Sequence, residues 1–166
     1  MKLTKRLNTI CSLVDKDTNV IDIGCDHATV DIYLTLNNLN NCIAADINKN
    51  ALEGAIKNIK KYKLEDKIKT VISDGLTNIE IPTNNTIIIC GMGTHTILNI
   101  LKSCDYKKID NLIIQSNNDL YLLRKKIIKL GFYIEKDIQI EDKNIYYTII
   151  KLKKGHKKYN KYEYLY

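Results

Sequence analysis

Apolar residues fall into two rhythms along the chain. Leu3, Leu7, Ile10, Cys11 and Val14 recur at helical spacing and predict an amphipathic helix over residues 3–14. Beyond it, short apolar runs of strand length at 19–23, 42–46, 67–72, 86–90 and 111–115 alternate with helical stretches at 28–37, 49–62, 94–104 and 118–130. The rhythm then changes. The segment "GFYIEKDIQIEDKNIYYTIIKLKK" carries two β-rich runs joined by Glu141-Asp142-Lys143-Asn144, a hairpin signal with no helix between them.

Strands alternating with helices imply parallel strands with crossover connections. Five βα units followed by a hairpin is the order of a class I S-adenosylmethionine (SAM) methyltransferase. The expected fold is therefore α/β and Rossmann-like, with a mostly parallel seven-stranded sheet, an antiparallel C-terminal hairpin and helices on both faces. A dinucleotide dehydrogenase more often continues with another βα unit. Architecture alone does not establish chemistry. A length of 166 residues fits one domain with a real core. Residues 1–154, N-terminal helix included, are read as that domain and 155–166 as a basic, Tyr-rich tail.

Composition narrows the partners. Hydrophobic residues at 45% and charged residues at 27% are ordinary for a globular chain, so disorder is expected only at the C-terminal end. A formal net charge of +7 suits a polyanionic partner, or is simply lysine filling surface positions. The five cysteines form no CxxC pair and no metal spacing with the three histidines, so no metal is expected. No apolar signal segment or bilayer-length run is present, which points to a cytoplasmic protein with reduced thiols, no membrane and no obligate protein partner.

Candidate chemistry gathers at the strand ends. In open α/β sheets, ligands bind outside the carboxyl ends of the strands, near the switch in strand order. Those ends are Asp22-Ile23-Gly24, Asp46, Ser73-Asp74-Gly75, Cys90-Gly91-Met92-Gly93 and Gln115-Ser116-Asn117. The loop "VIDIGCDHA" has one glycine and two carboxylates, and no GxGxxG pattern. A pyrophosphate beside Asp22 and Asp26 would meet like charge; a ligand bearing a sulfonium, an ammonium and ribose hydroxyls would not. The loop wants a cation.

Single positions carry bland readings beside the functional ones. Asp46, about 20 residues beyond the loop, stands where a ribose-binding acid belongs, or is a charge near the start of a helix at Asn48. Asp74 could accept from an adenine amino group while Gly75 lets the loop pass close, or the two form an ordinary Asp-Gly turn. Asp22 faces the ligand or holds loop amides. His27 is a hydrogen-bonding residue or a site group at the tip of the sheet, and His95 reads as structural or surface. Gly91-Met92-Gly93 is a turn before a helix or a close wall of the transfer site.

Residue stretches over nearly the whole chain then point further: "LTKRLNTI" at 3–10, "DIGCDHA" at 22–28, "SDGL" at 73–76, "CGMGT" at 90–94, "IIQSNNDLYLLRKKIIKLGFYI" at 113–134 and "YYTIIKL" at 146–152. With these the sequence resembles the bacterial TrmK family, tRNA adenine-N1 methyltransferases acting at tRNA position 22. The resemblance implies tRNA as partner, SAM as cofactor and adenine N1 as the methyl acceptor. Adenine N1 is a neutral lone pair needing no prior deprotonation, so the expected work is alignment and stabilisation of positive charge. Asp26 is assigned the electrostatic role, Asn117 and Gln115 orientation of the base, and His27 positioning or later proton uptake. The cofactor-binding set is Asp22, Gly24, Cys25, Asp46, Ile47, Asp74, Gly75, Gly91, Met92, Gly93 and Gln115. Lys5 and Arg6 are assigned to RNA, with phosphate contacts dominating affinity.

Three positions depart from the family's pattern. Ser116 stands where a proline is common, Thr94 where a second glycine follows GMG, and Ala44-Ala45-Asp46 where Gly-Glu-Val or a similar acidic segment is usual. The family also carries a C-terminal helical extension, expected here to be missing or truncated after Tyr166. Two other readings stay open: a non-catalytic RNA-binding module that retained the fold, and a methyltransferase acting on a small molecule or a protein. NAD-linked oxidoreduction is disfavoured by the loop chemistry.

Overall fold

A computed structural model describes residues 1–38 and 40–160. In chain order the elements are α1 (Lys5–Ser12), β1 (Asn19–Ile23), α2 (Thr29–Asn38), β2 (Cys42–Asp46), α3 (Lys49–Lys61), β3 (Ile68–Ile72), β4 (Asn85–Met92), α4 (Thr94–Lys102), β5 (Asn111–Ser116), α5 (Leu120–Lys129), β6 (Phe132–Asp142) and β7 (Ile145–Lys154). The first helix is shorter than its apolar spacing predicts. Thr4 Oγ1 accepts from the Leu7 amide and starts it, leaving Leu3 outside, while Leu13 closes it.

One seven-stranded sheet runs β3-β2-β1-β4-β5-β7-β6. The first five strands are parallel, and β7 and β6 add antiparallel at one end. The switch in strand order falls between β1 and β4, where two crossovers leave in opposite directions and open a crevice. The crossing from β3 to β4 contains no helix: residues 73–84 pass over as turns and bends, so the third of the five expected βα units lacks its α.

Alternation along the strands sorts the core into two halves. Val20, Ile88, Ile113 and Ile149 pack with α1, α2 and α3 on one face. Ile21, Ile23, Ile87, Ile89, Leu112 and Ile114 pack with α4 and α5 on the other. Period-two geometry therefore places Asp22 on the Val20 side, toward α1 and α2. That is why a carboxyl is buried there.

The hairpin turns through Lys143 and Asn144, both at positive φ, between the paired Asp142 and Ile145. Two left-handed residues match the twist of the flanking strands. Beyond β7, the Tyr159 hydroxyl accepts from the Ile134 amide on the edge strand β6 at 2.6 Å, beside a register shift between Ile134 and Lys136. The expected tail thus lies against the sheet as far as it is described; residues 161–166 fall outside the described residues. None of the helices described is long and apolar enough to cross a membrane.

Candidate functional site

The loop after β1 is pinned at both ends. Gly24 and Cys25 amides donate to the Ala45 carbonyl on β2, and Ala28 donates to Cys25 as α2 begins. Between these ties the backbone is left-handed at Asp26 (φ 49) and Ala28 (φ 53), and at Gly24 (φ 78). For non-glycine residues that conformation costs on the order of 1 kcal/mol or more each and persists where surroundings over-determine it. A Cβ at Gly24 would also stand 2.6 Å from Met92 Cε, the movable end of a side chain. The loop after β1 therefore touches the end of β4.

Asp46 resolves its two readings into a geometry. Its Oδ1 accepts from the Asn48 amide at 2.8 Å and its Oδ2 from the Asp26 amide at 3.2 Å, while Asn48 itself caps α3. A half-exposed carboxylate so held still has lone pairs for ribose hydroxyls. Ile47, 67% exposed, sets bare apolar surface beside it. His27 and Asp26 are both exposed, with Nε2 and Oδ1 3.7 Å apart.

A cleft at the β1–β4 switch joins much of this set. Asp22, Gly24, Cys25, Asp26 and His27 line it with Thr29, Val30, Ile88 and Cys90, and α1 contributes Arg6, Leu7 and Ile10. The cysteines there are not nucleophiles: burial, then the neighbouring aspartates, pushes the Cys25 and Cys90 thiols up, and Cys11 behind them to about 12. Among the described residues no group of His, Cys, Asp and Glu could hold a metal.

Arg6, which the resemblance assigns to RNA, is engaged within the protein. Its Nη1 donates to Gln115 Oε1 at 3.0 Å, its guanidinium stacks 5.2 Å from the Tyr147 ring centroid, and its amide donates to Asp142 Oδ2 at 2.8 Å. The Arg6 amide holds the Asp142 carboxyl below the usual range. Gln115 is buried and spends both ends of its amide, because its Nε2 donates to Asn117 Oδ1 at 3.0 Å. Asn117 Nδ2 then donates to the Gly91 carbonyl at 3.0 Å, and its amide to the Met92 carbonyl. One chain of contacts runs from α1 through β5 to the loop after β4. Gln115 is a brace inside it, beneath the exposed Asn117. Lys5 points to solvent.

Asp74 and Gly75 follow β3. Asp74 borders a depression with Thr77, Thr96, Asn99 and Ser103 beside α4. The left-handed Gly75 (φ 60) makes room for Ile100, since a Cβ would stand 2.9 Å from its Cγ1. Its close approach is to a helix. Gly93 has an ordinary φ of −76 and serves as the N-cap of α4.

Sequence reasoning missed Gly54 and Asn58. A Cβ at Gly54 would meet His27 Nδ1 at 2.8 Å, and Asn58 Nδ2 donates to the His27 carbonyl. The available signal was a glycine in the middle of a good helix. It also missed Tyr147 and Asp142, remote in sequence from everything they touch, with no local signal.

With the geometry in hand, kinship can be weighed. A family model described as a methyltransferase domain matches residues 3–150. The solved structure of M. capricolum TrmK, in complex with S-adenosyl-homocysteine (SAH), is 36% identical, superposes with a TM-score of 0.91 and is covered to 76% by this chain, itself covered to 100%. The chain belongs to the TrmK family of methyltransferases. A Mycoplasma genitalium relative named as a candidate tRNA methyltransferase is 33% identical over 157 residues, 92% of this TrmK-family chain and 70% of its own length. The tRNA (adenine(22)-N(1))-methyltransferase of Bacillus subtilis is 28% identical over 158 residues, 93% of this chain and 66% of its own. This TrmK-family chain thus spans about two thirds of the length of its curated relatives.

Proposed function

We propose that this chain methylates N1 of an adenine in tRNA, at the position 22 named for its relatives, with SAM as methyl donor. One observation carries the reading: Asp22, Asp26 and the glycine-lined loop share a cleft at the strand-order switch, with Asp46 holding the Asp26 amide from its rim. Carboxylates lining a cleft suit a cationic ligand and reject a pyrophosphate. When bound, SAM would supply an electrophilic methyl group on a sulfonium.

The chain's own groups do the rest. Asp22 and Asp46 would hold the ammonium and ribose ends of the cofactor, and Ile47 would face its base. Asn117, fixed by Gln115 and Gly91, presents an amide that can pair with an adenine edge and hold its N1 in line. Asp26 lies where the positive charge of a methylated adenine would be offset. His27, exposed and packed over Gly54, could position the base or take up a proton. The net charge of +7, with the exposed Lys5 on α1, supplies sequence-independent attraction to phosphate.

The decisive experiment is incubation with unmodified tRNA and SAM, followed by nucleoside mapping. 1-Methyladenosine at position 22 supports the reading. Methyl transfer elsewhere moves the substrate, and the absence of both methyl transfer and SAM binding leaves the non-catalytic RNA-binding alternative. Asp46→Ala is expected to weaken SAH binding by roughly 1–3 kcal/mol, the range for charge-assisted hydrogen bonds. Asn117→Ala is expected to lower turnover with SAH binding kept.

A further inference from the structure

A second carboxyl lies behind Asp22, on a helix that the proposed function leaves unused. Asp31 stands in the first turn of α2 and is 0% exposed, and neither of its carboxyl oxygens receives a hydrogen bond among the described residues. It lies within hydrogen-bonding reach of Asp22, itself buried and part of the cleft wall. Ionised carboxylates only accept, so two of them can meet this way only when one carries a proton. A dry site with two like charges enforces the same outcome.

The surroundings offer no alternative. Facing the pair are Cys11 from α1, Cys25 from the loop, Cys42 and Asp46 from β2, and Cys90 from β4. Burial keeps these thiols neutral, with the two aspartates adding to the effect. Thr35 Oγ1 is spent on the Asn40 carbonyl and Cys42. Arg6 lines the same cleft, but its guanidinium is engaged by Gln115 and Tyr147. His27 also lines it, at the exposed mouth.

We propose that Asp31 is a positioning residue for the cofactor's ammonium group: protonated, it donates to one Asp22 oxygen, keeps Asp22 ionised and leaves the other Asp22 oxygen to the cleft. This rests on the SAM reading of the site. Burial drives both carboxyls up, Asp31 well above its ordinary value and Asp22 to about 7, with the bond from Asp31 holding Asp22 the lower of the two. As pH falls through that value Asp22 takes up a proton and loses the charge that an ammonium needs. Cofactor binding therefore weakens toward acid, and below neutral pH it expels a proton.

The test is calorimetry of SAH binding between pH 5.5 and 8. In the wild-type chain the Kd rises by up to about tenfold per pH unit on the acid side, and at pH 6.5 buffers of different ionisation enthalpy reveal proton release. Asp31→Asn keeps a neutral donor, so it retains affinity at pH 8 and leaves the acid limb close to its wild-type position. Asp31→Leu removes the donor, so it loses affinity at pH 8 and moves the acid limb up by about one pH unit or more. An acid limb identical in wild type and Asp31→Leu, or heats independent of buffer, overturns the proposal. Should either variant not fold, wild-type proton release decides alone. Failure of SAH to bind at pH 8 would overturn the cofactor reading instead. Carbon-13 carboxyl titration of the ligand-free protein then decides the pair, and ordinary values at both aspartates overturn it.

Discussion

Thr94 Oγ1 and Ser116 Oγ lie 2.8 Å apart, joining the start of α4 to the end of β5. Both hydroxyls also reach the Asn118 carbonyl, at 2.6 and 2.8 Å, and the Asn118 side chain accepts from the Thr94 amide. These are two of the positions where the sequence departs from its family's pattern. They are one device: both hydroxyls are buried, and their two protons are shared among the contact between them and the two contacts to the Asn118 carbonyl. The segment carrying Asn117 is tied to the start of α4, just beyond the end of β4, by this contact. Replacing either residue with alanine is expected to cost about 1 kcal/mol. The double variant should cost less than the sum, by about 0.5–1 kcal/mol, because the second change removes a contact already broken. Urea midpoints of the four proteins measure this, and strict additivity would show that the hydroxyls act independently.

Arg6 is tied to Gln115 and Tyr147, and experiment separates a bracing role from a phosphate contact. Arg6→Ala should lower turnover about tenfold or more by releasing Gln115, a charge-assisted bond worth roughly 1.5–3 kcal/mol. Arg6→Lys should not restore it, since an ammonium cannot both stack on Tyr147 and keep the guanidinium's directed bond. The slope of log tRNA affinity against log salt should stay unchanged in Arg6→Ala and fall by about 1 in Lys5→Ala. A fall of that size in Arg6→Ala would return Arg6 to the RNA interface.

Gly54→Ala tests His27 without touching it. Alanine in a helix interior gains about 1 kcal/mol over glycine. The new Cβ, however, falls 2.8 Å from His27 Nδ1, at the movable end of a side chain 60% exposed. The variant should melt no lower than the parent and yet turn over more slowly. Full activity would detach the imidazole's placement from the reaction.

Acid sensitivity of the fold should come from the hairpin. Lys151 Nζ donates to Asp15 Oδ1 at 2.6 Å and lies 3.1 Å from Glu135 Oε2, and Lys153 Nζ lies 2.8 Å from Glu135 Oε1. Burial alone would raise both carboxyls, but hydrogen bonds and charge from the two lysines overcome it and hold them below their ordinary values of 3.8 and 4.5. A depressed folded value means that the contribution is complete above the ordinary value and is lost as pH falls through the folded one. Urea midpoints from pH 6 to pH 3 should therefore drop more steeply in the parent than in Asp15→Asn/Glu135→Gln. Parallel curves would remove this cluster as the cause.

Much of the fold was legible because its signals are local. A strand buried on both faces shows as a short apolar run wherever it ends up, and the hairpin announced itself by the loss of helical spacing. The polar strand ends were legible for the same reason, and with them the acid-rich loop at Asp22 and Asp26, Asp46 and Asn117. The helix absent between β3 and β4 was expected only by the count of five βα units, for the sequence shows no helical stretch between residues 72 and 86. What remained hidden depends on contacts between distant parts of the chain. Arg6 reads as one more basic residue in "LTKRLNTI" until α1 is laid over the cleft against Gln115 and Tyr147. Asp31 reads as a polar position in a helix until period-two geometry puts Asp22 on the same face of the sheet. Thr94 and Ser116 read as two separate departures until β4 and β5 pair. Residue type and spacing, local properties of the chain, determined the strands, the helices and which groups could do chemistry. Packing decided which of those groups are buried together, so that Asp22 and Asp31 share a dry site and Arg6 meets Gln115 and Tyr147.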